Sequence, residues 1–139
     1  MHTGSGSNSG AGLYLAGGSF TMNGTASISS NTAQQRGAGI YVDATTENVS
    51  VTIGGTAQIY QNKSVETGGA IYIENGATTS ATITLKDGIK IPYYTLTGTN
   101  ATTYAGKNDV YFNGGLITVS ETEALTDTAE VNVTPASYT

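Results

Sequence analysis

Apolar residues in this chain come as short triplets separated by glycine and polar residues. The first set is Leu13-Tyr14-Leu15, Phe20-Thr21-Met22 and Ala26-Ser27-Ile28. The second is Ile40-Tyr41-Val42, Val51-Thr52-Ile53 and Ala57-Gln58-Ile59. The third is Ile71-Tyr72-Ile73, Ile83-Thr84-Leu85 and Ile89-Lys90-Ile91. The fourth is Val110-Tyr111-Phe112, Ile117-Thr118-Val119 and, more weakly, Val131-Asn132-Val133. Side chains alternate faces along a strand, so each triplet turns its outer residues inward and its middle residue outward. No stretch carries a helical period long enough for βαβ crossovers.

The triplets repeat as a group. A glycine-rich word precedes the first strand of each set, as Gly10-Ala11-Gly12, Gly37-Ala38-Gly39 and Gly68-Gly69-Ala70, and degrades to Gly106-Lys107-Asn108-Asp109 in the fourth. Asn23-Gly24, Gly54-Gly55 and Asp87-Gly88 separate second from third strands and suit tight corners. Gly24 to Asn31 and Gly55 to Asn62 match at a spacing of 31. Three short strands per repeat of about 30 residues predict an all-β fold, a single-stranded parallel β-helix of about four coils. The expected coils are 10–36, 37–66, 67–105 and 106–139, after a flexible segment 1–9.

Stacked coils turn equivalent residues into columns. Phe20/Val51/Ile83/Ile117 and Met22/Ile53/Leu85/Val119 are the expected core, stabilised by about 25 cal/mol per Å² of apolar surface buried. Asn31 and Asn62 fall at a corner, where their amides are expected to bond adjacent coils. Tyr94 or a neighbour takes that place in the third coil, so the ladder is expected to stop there. Tyr14, Tyr41, Tyr72 and Tyr111 form an outward column on the first face. Ser19/Thr21, Ser50/Thr52, Thr82/Thr84 and Thr118/Ser120 form an outward hydroxyl array on the second.

Composition narrows the function. Net charge is -5, and Arg36, Lys63, Lys86, Lys90 and Lys107 are scattered, which argues against a nucleic-acid partner held by phosphate contacts. There is no cysteine, which removes disulfides and thiolate metal sites. No apolar run reaches the length of a membrane span, and the start has neither the charge nor the apolar centre of a signal peptide. We read the chain as a segment of a longer protein.

The Gly-Gly-Ala-Ile word at Gly68-Gly69-Ala70-Ile71, its variants at Gly10 and Gly37, and the words Phe20-Thr21-Met22-Asn23, Ile28-Ser29-Ser30-Asn31 and Ile59-Tyr60-Gln61-Asn62 carry a resemblance. Together they resemble the repeats of chlamydial polymorphic outer-membrane proteins and related bacterial surface proteins, over about residues 10–75. The resemblance implies a right-handed β-helix, secreted or on a bacterial surface, usually in an adhesin or autotransporter passenger. The fourth coil departs from it by lacking the Gly-Gly-Ala word.

Polysaccharide-cleaving β-helices need clustered carboxylates with a basic partner, or two carboxylates flanking a glycosidic bond. Here only Asp43 and Glu74 share a column, with no basic residue near them in the pattern. The Gly-Gly-x-Gly-x-Asp nonapeptide of calcium solenoids does not occur. No catalytic residue, metal or cofactor is therefore expected.

Regular Thr-x-Thr rows suit ice binding, although threonine also favours any exposed strand face. The tyrosine column suits a partner or sugar ring, or packing on itself. As a recognition surface it predicts that Tyr41→Ala with Tyr72→Ala costs binding far more than stability. The corners 32–36, 44–48, 63–67 and 92–105 hold the non-repetitive residues, and the last brings Tyr93, Tyr94 and Tyr104 together. The expected function is an adhesin segment binding a host-cell or matrix protein or glycan, with self-association possible along the rod. The alternative is a passive stalk.

Overall fold

The computed structural model describes residues 9–94, 104 and 108–136. It is all-β, and no helix occurs among the described residues. Strands β1 (Leu13–Leu15), β5 (Ile40–Ala44), β9 (Ile71–Asn75), β12 (Val110–Asn113) and β15 (Val133–Pro135) stack in parallel as the first sheet. The second sheet stacks β2 (Gly18–Met22), β6 (Val49–Ile53), β10 (Ala81–Leu85) and β13 (Leu116–Val119). The third stacks β3 (Ser27–Ser29), β7 (Gln58–Tyr60), β11 (Lys90–Ile91) and β14 (Glu130–Val131). Neighbours in a sheet are one turn apart, so the four strands of the second sheet are separated by three turns. The chain is a parallel β-solenoid.

Register follows the triplets. Leu13, Ile40, Ile71 and Val110 pair in one row, as do Phe20, Val51, Ile83 and Ile117 in another. The outer residues of each triplet meet in a central core that includes Ile40, Ile53, Ile59, Ile71, Ile83 and Ile91, all essentially without solvent contact. Burying an isoleucine side chain contributes about 1.5–3 kcal/mol. Burial thins toward the ends of the rod, where Leu13, Phe20 and Ile28 at one end and Phe112, Ile117 and Val131 at the other are only partly covered.

The glycine word now has a mechanical reading. Gly10, Gly37 and Gly68 have φ of 67°, 58° and 64°, the left-handed region that favours glycine. Gly12 and Gly39 have another task. A Cβ there would lie 2.5 Å from the Gly39 carbonyl oxygen and 2.4 Å from that of Ala70, so the chain can pass under the next turn only without a side chain. The Asn31 and Asn62 amide nitrogens crowd the same two positions at 3.0 and 3.2 Å.

Three details differ from the sequence reading. Corners 32–36 and 63–67 are not wholly irregular: β4 (Thr32–Ala33) and β8 (Lys63–Ser64) pair as a small fourth sheet, burying Ala33 and Ser64. Val131-Asn132-Val133 is not one strand. Val131 pairs with Ile91 in the third sheet, whereas Val133 pairs with Val110 in the first, because the chain turns its corner at Asn132. The segment expected to be flexible, 1–9, lies outside the described residues except for Ser9.

Candidate functional site

The asparagine corner is the most tightly bonded polar feature of the rod. Ser30 and Gln61 hold left-handed φ values of 58° and 55°, which turns the following asparagine inward. The Asn31 backbone N–H and Nδ2 both donate to Asn62 Oδ1 at 3.0 Å. The Asn62 N–H and Nδ2 donate in turn to Asn108 Oδ1 at 3.2 and 3.1 Å. Asn62 Nδ2 also caps the Ile28 carbonyl at 3.0 Å, and Asn108 Nδ2 caps those of Ile59 and Pro92 at 2.8 and 2.7 Å. Asn62 and Asn108 are fully buried.

The ladder therefore does not stop at Tyr94, as the sequence reading expected. Its third rung is Asn108, which arrives from the residues before β12 rather than from the end of β11. A sequence signal existed: Asn108 stands where the other coils carry Ala11, Ala38 and Gly69, in the turn after the corner asparagine is lost. Asn132 bonds the Ile91 carbonyl at 3.2 Å in the same manner.

The tyrosines form a continuous stack. Ring centres of Tyr14 and Tyr41 lie 5.2 Å apart, Tyr41 and Tyr72 5.3 Å, and Tyr72 and Tyr111 5.5 Å, with interplanar angles of 5°, 23° and 6°. The rings leave the core side of the strand but cover one another. Tyr41 and Tyr72 are buried, at 8% and 3% exposure, while Tyr14 at the end of the stack is 46% exposed. The middle of this column is thus not available to a ligand as a flat face. Its burial places Tyr41 and Tyr72 among the residues that hold the fold.

Their hydroxyls descend like a stair. Tyr14 donates to Asp43, and Tyr41 donates to Glu74. Asp43 and Glu74 pair in register, one turn apart. The next step changes chemistry: Arg36 and Asn113 donate to the Tyr72 hydroxyl at 3.3 and 3.4 Å. Arg36 also lies 5.1 Å from the centre of the Tyr72 ring and pairs with Glu66 at 2.7 Å. The column two residues after each tyrosine, Asp43/Glu74/Asn113, thus serves the tyrosine of the preceding turn.

Electrostatics follow from this arrangement. The hydrogen bond to Asp43, with desolvation second, pushes the Tyr14 phenol up to about 12. Desolvation, then the bond to Glu74, raises Tyr41 above its ordinary value. Burial acts to raise the Asp43 carboxyl, but hydrogen bonds from Thr45 and Tyr14 outweigh it and hold Asp43 below its usual range. Both carboxylates thus accept a hydrogen bond from a tyrosine hydroxyl of the preceding turn. Among the described residues no group of three or more His, Cys, Asp or Glu could hold a metal ion.

The hydroxyl face needs one correction. Ser19, Ser50 and Thr82 form one column and Thr21, Thr52, Thr84 and Thr118 another. Ser120 belongs to neither, because the pairing of Ile83 with Ile117 puts Leu116 beneath Thr82 and carries Ser120 beyond the strand. Leu116 is 55% exposed, so a large apolar side chain interrupts the row. Thr118 Oγ1 also bonds Thr84 Oγ1 at 3.3 Å.

Tyr93, Tyr94 and Tyr104 are the described tyrosines of the stretch after β11. Tyr93 is 51% exposed and Tyr94 half-buried. Tyr104 is half-buried, with Lys63 Nζ 4.6 Å from its ring centre. The rest of this corner, 95–103 and 105–107, lies outside the described residues.

The fold and its ladders define a parallel β-solenoid. Comparison with protein-family models, characterised proteins and solved structures finds no match to this chain.

Proposed function

We propose that this chain is a non-enzymatic module of a secreted or cell-surface bacterial protein, acting as a stiff rod that presents the corner 92–105 to a host or matrix protein or glycan. The observation that carries the reading is a division of labour among the tyrosines. The middle rings of the stack, Tyr41 and Tyr72, are consumed by packing, whereas Tyr93 is exposed on the corner that breaks the repeat. Aromatic rings on an irregular corner of a rigid scaffold suit recognition, because they offer contact area at low entropic cost. Lys63 at the Tyr104 ring places a cation beside them.

A second reading, the passive stalk, rests on a different observation. The asparagine and tyrosine ladders satisfy themselves, so the middles of these two columns leave few polar groups for a partner. The two are separated by saturable binding of the purified chain to glycans and matrix proteins, compared with Tyr93→Ala/Tyr104→Ala. Binding lost in that variant supports presentation by the corner, and no binding on any surface supports the stalk.

A further inference from the structure

The rings of Tyr14, Tyr41, Tyr72 and Tyr111 form one continuous π column, with successive centres 5.2, 5.3 and 5.5 Å apart. Electron exchange falls off steeply with separation, so rings this close share an electron vacancy. Where the vacancy rests depends on the phenol proton, because a phenol that has lost an electron is a strong acid. Stacking alone asks only for aromatic rings. The hydroxyls and their partners are a second feature, and they are graded along the column.

Tyr14 donates to the Asp43 carboxylate and Tyr41 to the Glu74 carboxylate, so each of these phenols already has a base on its proton. Tyr72 is the reverse. Its hydroxyl accepts from Arg36 and Asn113, and the Arg36 guanidinium lies 5.1 Å from its ring centre. That cation opposes positive charge on the ring, and the opposition is strengthened because Tyr72 is buried. Neither Tyr72 nor Tyr111 donates to a carboxylate among the described residues.

We propose that the tyrosine column is a one-electron relay, in which an oxidising equivalent taken up on any of the four rings settles on Tyr41 or Tyr14 as a neutral phenoxyl radical. An outer-sphere one-electron oxidant, such as a trivalent metal complex, removes one electron from the column. The Tyr41 O–H bond then breaks, and its proton moves along the hydrogen bond to Glu74. The products are the Tyr41 phenoxyl radical, the Glu74 carboxylic acid and the oxidant reduced by one electron. Asp43 takes the Tyr14 proton in the same way. Tyr41 is only 8% exposed, so its radical is shielded from solvent and from meeting a second radical. Tyr72, with Arg36 beside it, passes the vacancy on and does not hold it. This activity is separate from presentation of the corner 92–105 and does not depend on it.

The test uses the intact protein with photogenerated tris(bipyridine)ruthenium(III) as oxidant, read by phenoxyl absorbance and electron paramagnetic resonance. Wild type is expected to give a long-lived phenoxyl signal. Tyr14→Phe/Tyr41→Phe keeps all four rings and is expected to lose the long-lived component. Asp43→Asn/Glu74→Gln leaves every phenol in place and is expected to shorten the signal severalfold. A thermal melt shows which variants are folded, and the phenylalanine pair decides alone if the carboxamide pair is not. Absence of a long-lived signal in wild type overturns the proposal. Unchanged amplitude and lifetime in either folded variant also overturns it, because the radical would then sit on tyrosines outside the column.

Discussion

Replacing Asn62 by leucine tests the ladder at its centre. The side chain makes four hydrogen bonds: two accepted from Asn31, one donated to Ile28 and one to Asn108. Asn31 Nδ2 keeps its bond to the Ser29 carbonyl, and Asn108 Oδ1 keeps the residue-62 N–H. One group loses its only partner, the Asn31 N–H. The Ile28 carbonyl loses one of two donors and keeps the Tyr60 N–H of the strand ladder. The three other bonds of the side chain go at about 0.5–1.5 kcal/mol each. Leaving a buried polar group unmet costs about 1–3 kcal/mol, and leucine recovers part of that by burying apolar surface. The net loss is about 2–4 kcal/mol out of the 5–15 typical of a domain. With a urea slope near 2 kcal/mol/M, the midpoint falls by about 1–2 M. Asn31→Leu, at the end of the ladder, orphans only the Ser29 carbonyl and costs about 1 kcal/mol. Equal midpoints for the two variants, or a loss below about 1 kcal/mol for Asn62→Leu, would refute the ladder as a principal source of stability.

Further consequences follow from the same geometry. Gln61 sits at φ 55°, so Gln61→Gly holds or raises stability by up to about 1 kcal/mol, while Gln61→Val lowers it by about 1–2, read from urea midpoints. Tyr72→Ala removes a buried ring stacked on two others and costs about 3–5 kcal/mol in a thermal or urea melt, with Tyr14→Ala costing clearly less. Tyr14 and Tyr41 have folded-state phenol values above the unfolded value near 10. Their contribution is complete below pH 10 and is lost as pH rises toward about 12 and beyond, so alkaline titration followed by phenolate absorbance shows late-ionising tyrosines that ionise with unfolding. Asp43 acts in the opposite direction: its contribution is present above its unfolded value near 3.8 and is lost as pH falls below it, and Asp43→Asn flattens that acid limb.

Much of the architecture was legible because a strand's period of two leaves little choice. Once Val51-Thr52-Ile53 and Ile83-Thr84-Leu85 are apolar-polar-apolar, shifting either by one residue would turn its core outward, and the observed pairing is the unshifted one. The site was less legible. A triplet's middle residue leaves the core, but whether it meets solvent depends on its neighbours one turn away. Tyrosines stacked at strand spacing bury one another, so Tyr41 and Tyr72 are outward and covered at once. Asn108 was hidden because ladder rungs are defined in space: its side chain fills a place that Asn31 and Asn62 reach from another strand. Ser120 was misplaced because the hydroxyl pair flanks the first apolar residue of each triplet, and in the fourth turn the residue before Ile117 is Leu116 rather than a serine or threonine, while Ser120 follows the triplet. Arg36 and Asn113 had no sequence signal, since their partner is a tyrosine hydroxyl a turn away.

The most direct test of the account is a pair of matched measurements on three proteins: wild type, Tyr93→Ala/Tyr104→Ala, and Tyr72→Phe. Saturable binding to a panel of glycans and matrix proteins is read beside the thermal midpoint. The account predicts that the corner variant loses binding and keeps its midpoint, whereas Tyr72→Phe keeps binding and loses about 1 kcal/mol of stability. Binding that survives loss of Tyr93 and Tyr104, or that disappears with the Tyr72 hydroxyl at unchanged stability, would contradict the separation of ladder from recognition surface.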